Sequence, residues 1–315
     1  RCAPAATGRQ RRWPRWRRER ETEMMATGAH LPFSWGTRTY VMGIVNCTPD
    51  SFAGDGLLDP DAAIARGRRL LDEGADLLDV GGESTRPGAA AVPAEEEARR
   101  VLPVIEALAA RTRVPISVDT SKAQVAAAAL AAGATMINDV WALTRDPRLA
   151  PLAAAAGATV VLMHNRAAEA TLGALGGHYQ EVIYQGDVVV EVVGAALEER
   201  VAAAVAAGIP REQLIVDPGI GFGKTVAQNL TLLRRLGELR ERPGLRDLPL
   251  LVGTSRKSAI GLTLGLPVEE RLEGTLATLA LAVAQGADLV RVHDVQAAVR
   301  CCRMADAIVR GGVER

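Results

Sequence analysis

Aromatic residues are scarce in this chain of 315 residues, at 3%. Core volume must therefore come mainly from aliphatic side chains, which dominate the 48% apolar fraction. Cysteine is scarcer, with Cys2, Cys47, Cys301 and Cys302 the complete set. None forms a CxxC or other metal spacing, and adjacent Cys301 and Cys302 are poorly placed to pair with each other, so neither a disulfide framework nor a thiolate metal site is expected. No uncharged apolar run approaches the roughly 18 residues of a spanning helix. The first twenty residues also lack the apolar segment of a signal peptide. The expected setting is cytoplasmic and reducing, with no membrane partner.

A net charge of zero hides an asymmetry. Residues 1–23 hold eight Arg and three Glu, while the remainder carries 29 basic against 34 acidic side chains. Trp13 and Trp16 lie among those arginines, a composition that nucleic-acid arms share. The plainer reading is a disordered extension or translated upstream sequence, since the chain opens on Arg1 and Met24 and Met25 precede the first motif. Residues 1–30 are therefore expected outside the fold, 31–315 as one domain, and no nucleic-acid partner.

After Leu31 short apolar runs alternate with Ala/Leu/Arg/Glu-rich stretches. Strands are predicted at Tyr40–Asn46, Leu77–Gly81, Val114–Asp119, Ala134–Asn138, Thr159–Met163, Gln213–Asp217, Pro249–Gly253 and Asp288–Val292. Helices are predicted near 60–74, 94–110, 121–132, 147–156, 184–207, 227–240, 268–285 and 295–310, several closed by a C-terminal Gly. Continuous apolar strands between helices imply a parallel sheet buried on both faces. Eight units make a single (βα)8 TIM barrel the expected fold, with a doubly wound sheet as the alternative. Asn46, Asp119, Asn138, Asp217 and Arg291 fall at or beside strand ends, and His164 follows another. An unpaired buried polar group costs about 1–3 kcal/mol, so such groups are normally excluded from parallel strands. Their shared position points to a polar pocket at the C-terminal end of the barrel.

Seven motifs follow those strands in order. They are Met42–Phe52 (MGIVNCTPDSF), Gly81–Gly88 (GGESTRPG), Ser117–Lys122 (SVDTSK), Ile137–Val140 (INDV), Asp217–Thr225 (DPGIGFGKT), Gly253–Ser258 (GTSRKS) and Arg291–Val295 (RVHDV). Asp217–Thr225 looks like a P-loop, but Pro218 stands where its first Gly belongs, so nucleotide hydrolysis is rejected. In this order and spacing the set resembles the dihydropteroate synthase family, from about residue 38 to 309. The family's members are TIM barrels, in agreement with the fold read from the strands.

The resemblance implies condensation of 6-hydroxymethyl-7,8-dihydropterin pyrophosphate with p-aminobenzoate. It places Asp217, Asp119, Asn138 and Lys257 on the pterin edge and Arg291 on its face. Asn46 is implied as an oxygen ligand to Mg²⁺, with His293 and Arg291 toward the pyrophosphate. Phe52, Thr85, Arg86, Pro87, Phe222, Lys257 and Ser258 are implied around p-aminobenzoate. Lys257, Arg291, His293 and Asp217 are the residues expected to carry the chemistry. That chemistry is expected to be dissociative, with no strong general base, and with loops 47–57 and 83–92 excluding water. Further implications are a homodimer and a sulfonamide target. The competing readings are a pterin-dependent methyltransferase and a non-catalytic pterin-binding paralogue. The first lacks, as a family, the SRKS and STRPG motifs present here.

Overall fold

The computed structural model describes residues 31–48, 59–85, 89–167 and 188–311. The extension expected at 1–30 lies outside them. Eight strands appear: β1 Tyr40–Asn46, β2 Leu77–Gly81, β3 Ile116–Asp119, β4 Met136–Asp139, β5 Thr159–Met163, β6 Leu214–Asp217, β7 Leu251–Val252 and β8 Leu289–Val292. Their order is β6-β5-β4-β3-β2-β1-β8-β7, every neighbour parallel. A parallel bridge between Val216 and Leu250 joins the two outer strands. The Val216 N–H donates to the Pro249 carbonyl across the same seam at 3.0 Å. The sheet therefore closes, which sets aside the doubly wound alternative.

Side-chain alternation with period two divides the apolar residues into two cores. Val41, Val45, Leu78, Val80, Ile137, Val160, Val216 and Val290 belong to the larger one, together with residues of the surrounding helices. Tyr40, Met42, Leu77, Met136, Val161, Ile215, Leu251 and Leu289 form a separate cluster within the ring, with Leu31, Phe33 and Trp35 packed against it. Phe33 stacks on Tyr40 at 4.3 Å between ring centroids, and Trp35 meets Phe33 edge-on at 5.1 Å. Three of the chain's few aromatics thus plug the N-terminal end of the barrel.

Ten α-helices are described: α1 Pro60–Glu73, α2 Ala94–Ala109, α3 Ala123–Ala131, α4 Leu149–Ala156, α5 Val189–Ala206, α6 Val226–Arg234, α7 Gly237–Glu241, α8 Ser258–Leu264, α9 Leu272–Ala284 and α10 Val295–Arg310. Local signals explain several ends. Asp59 accepts the Asp61 N–H before α1, Pro60 supplies a preset φ, and Gly74 closes the helix at φ 105°. Thr225 and Gln228 form a capping box at α6. The single helix predicted over 227–240 is instead α6 and α7. Between them the Gly237 N–H turns to the side chain of Gln285 at 3.2 Å, a partner 48 residues away. The stretch predicted from 268 begins as a short 3-10 turn, Val268–Glu270, before α9.

Candidate active site

On alternate strands the inward-facing residue changes from apolar to polar over one two-residue step. Leu77 gives way to Asp79 on β2, Met136 to Asn138 on β4, Ile215 to Asp217 on β6 and Leu289 to Arg291 on β8. The polar ends converge on a cavity at the C-terminal end of the barrel. Asn46, Thr85, Asp119, Asn138, Asp217, Phe222, Lys257, Arg291 and His293 all line it. Nine of the thirteen residues to which the resemblance gives a role are thereby brought together.

Its floor is an ion network that the sequence did not disclose. The Arg291 guanidinium donates to Asp79 at 2.6 Å and to Asp119 at 2.8 Å. Asn138 donates its amide to the same Asp79 carboxylate at 2.9 Å. Asp79 is fully buried yet was not among the predicted site residues. Its signal was present: a carboxylate between Leu78 and Val80, on the pocket-facing side, two residues before the strand ends. Burial pushes the Asp119 carboxyl up to about 8, against the pull of Arg291. Burial would also lower Arg291, but Asp79 and Asp119 outweigh it and hold its pKa above the ordinary value.

The opposite wall carries Asp217, Lys257 and Phe222. Asp217 accepts the Gly219 N–H at 2.7 Å, closing the Asp-Pro-Gly turn while still lining the cavity. Burial raises its pKa, opposed by the Lys257 charge. Lys257 donates to the Ile220 carbonyl, and its ammonium lies 4.7 Å from the Phe222 ring centre. Burial draws Lys257 down to about 8, with Asp217 resisting.

His293 and Arg291 rise from β8 on the same side, as their spacing requires. Ser255 fixes the imidazole: its hydroxyl lies 2.9 Å from Nδ1 and accepts the His293 backbone N–H at 3.1 Å. Among the described residues no group of three His, Cys, Asp or Glu could hold a metal ion. Asn46, at the end of β1, lines the cavity and offers an amide oxygen, a donor type suited to a hard cation.

Five expected residues are not placed in the lining. Phe52, Arg86 and Pro87 lie outside the described residues, as does much of loop 47–57. Ser258 is half-buried at the start of α8 and is not among the cavity-lining residues. His164 is buried, but it too is absent from the lining; its backbone N–H bonds the Asp217 carbonyl at 2.9 Å. Glu83 does line the cavity and ties its loop: it pairs with Lys122 and accepts the Val92 N–H at 3.0 Å.

Fold and site together define a pterin-binding barrel enzyme, and the family model described as pterin binding enzyme matches residues 42–293. The chain is 45% identical over 280 residues to the dihydropteroate synthase of Clostridium beijerinckii, covering 88% of this chain and 97% of that protein. Against the Bacillus subtilis dihydropteroate synthase the identity is 44%, covering 89% and 92%. The Xanthomonas albilineans dihydropteroate synthase structure with 4-aminobenzoic acid is 48% identical, with a TM-score of 0.75 and coverage of 86% and 93%. The Clostridium difficile dihydropteroate synthase, solved in the presence of pteroic acid, gives 43%, 0.78, 88% and 99%. The chain belongs to the dihydropteroate synthase family of pterin-binding enzymes. It is a transferase of folate synthesis, which displaces the methyltransferase reading.

Proposed function

We propose that the cavity condenses 6-hydroxymethyl-7,8-dihydropterin pyrophosphate with p-aminobenzoate, giving 7,8-dihydropteroate and pyrophosphate. The observation that carries this is the pairing of a carboxylate-and-amide floor with a cationic rim. Asp217 accepts from the pterin amino group and its neighbouring ring N–H, and Asp119 and Asn138 read other ring positions. Arg291, held by Asp79 and Asp119, presents its planar face to the ring. Lys257 donates to polar ring atoms and, with Phe222 and Thr85, borders the p-aminobenzoate site.

Bond breaking precedes bond making. The methylene C–O bond ionises, its electron pair leaving with the pyrophosphate. The neutral amine then supplies the pair for the new C–N bond and loses a proton. Arg291 and His293 stabilise the departing charge, and no buried general base is required. Ser255 holds the His293 ring for that purpose. Asn46 would supply a protein oxygen to Mg²⁺, which neutralises charge on the leaving group when bound.

We extend the same reading to the whole chain. Residues 31–315 act as one catalytic barrel, with 1–30 outside it, and the setting is the cytoplasm. Packed helices α9 and α10 expose Leu281, Met304 and Ile308, which favours a homodimer. The small-molecule partners are the two substrates, and the sulfonamide bound by the Yersinia pestis relative would compete at the p-aminobenzoate site.

The test is turnover by the full chain with both substrates and Mg²⁺. Dihydropteroate and pyrophosphate should form in equal amounts and stop with chelator. Tight pterin binding without product would establish the non-catalytic reading instead.

A further inference from the structure

The reaction scheme leaves Lys224 without a task, although it closes the P-loop-like stretch after β6. It is 2% exposed and ranks among the largest fully buried side chains. A buried ammonium is costly unless its hydrogen bonds are met. Its acceptors are three backbone carbonyls: Gly219 at 2.8 Å, Phe222 at 3.0 Å and His164 at 3.4 Å. Three donors meet three acceptors. Two belong to the lysine's own loop and the third to the loop after β5. Burial draws the Lys224 pKa well down, while the Asp217 charge opposes this.

The glycines show why those loops need an internal tie. A Cβ at Gly219 would stand 1.9 Å from the His164 carbonyl oxygen, and one at Gly223 would stand 2.5 Å from the Arg166 carbonyl carbon. Both glycines have positive φ, 67° and 66°. The two loops touch backbone to backbone, and Lys224 stitches the contact. Asn229 completes the frame by accepting the Gly221 N–H at 2.7 Å and donating to the Thr225 carbonyl at 2.9 Å. This frame presents Phe222 to the cavity and supplies the Ile220 carbonyl that receives Lys257.

We infer that Lys224 is a positioning residue, whose ammonium locks the two loops together and thereby sets the Phe222 ring against the aromatic amine. The inference rests on the p-aminobenzoate site proposed above. Of the pterin-reading groups, Asp119, Asn138 and Arg291 sit on other strands, Lys257 follows β7, and Asp217 is held by the pairing of β6 with β5, so p-aminobenzoate should respond more strongly than the pterin. A merely structural lysine would weaken both alike.

The experiment compares wild type, Lys224→Met, Phe222→Ala and the double variant, all in the full chain. Circular dichroism checks folding, fluorescence titration reads pterin pyrophosphate binding, and steady-state kinetics reads KM for p-aminobenzoate. Lys224→Met should raise that KM at least about tenfold, with pterin affinity changed less than about threefold. Phe222→Ala should cost less on top of Lys224→Met than alone, because its ring is already misplaced. An unchanged KM, equal weakening of both substrates, or strict additivity overturns the inference. If Lys224→Met does not fold, Asn229→Ala must give the same selective rise in KM; its absence also overturns it. If wild type makes no product, the reaction assignment fails. The selectivity is then read by equilibrium binding of p-aminobenzoate, with the same outcomes deciding.

Discussion

At one end of the barrel Leu77, Met136, Ile215 and Leu289 fill the ring; two residues along the same strands stand Asp79, Asn138, Asp217 and Arg291. The first layer gains by removing apolar surface from water, closed off by Phe33, Trp35 and Tyr40. The second places carboxylates, an amide and a guanidinium where desolvation opposes every charge. Their pKa shifts record the cost: Asp119 and Asp217 are raised and Lys257 is lowered, each chiefly by burial. Stability is concentrated at the N-terminal end, and binding groups are held under electrostatic tension at the C-terminal end. A ligand that supplies the missing partners relieves that tension, which is why the costly end is the useful one.

Substitutions at the two ends should separate these properties. Met136→Ala removes a wholly buried side chain from the ring and should cost about 2–5 kcal/mol in denaturant unfolding. The KM for either substrate should stay within about twofold; a large KM change would break the division. Lys257→Ala should reduce dihydropteroate formation by about a hundredfold or more. Its thermal midpoint should change little, because the desolvation cost removed with Lys257 is set against the charge lost beside buried Asp217. A collapsed midpoint would make Lys257 structural.

The smallest effect lies in pH. Asp119 has a native pKa near 8, above its unfolded value, so the native state holds a proton that the unfolded chain has lost. That contribution to stability is complete below the unfolded pKa near 4 and declines as pH rises toward 8. Asp119→Asn should flatten this part of the profile relative to wild type while weakening pterin binding. Unfolding titrations between pH 5 and 9 read the difference, and parallel curves would place the proton elsewhere.

Local pattern was enough for much of the barrel. The ends of β1, β2 and β5 match the predicted ones, because apolar residues stop abruptly there at Asn46, Gly81 and Met163. β3 was predicted from Val114 but pairs only from Ile116, since pairing depends on where β2 and β4 lie. The break between α6 and α7 depends on Gln285, which no window around residue 236 contains. Asp119, Asn138 and Asp217 were legible because a polar group at the end of an apolar strand needs an explanation. Asp79 was missed because it lies inside its strand, and its partner Arg291 is 212 residues away.

The sequence by itself therefore determined the alternation of strands and helices, the family, and the layer at which apolar gives way to polar. These follow from period, spacing and residue type, all of which are local. Only the tertiary structure decided that Asp79 holds Arg291, that Ser255 orients His293, and that Lys224 turns inward to three carbonyls. Each of these depends on how closed the ring is and how near its loops approach. Charge compensation is set by distance through space, and the order of residues along the chain does not encode that distance.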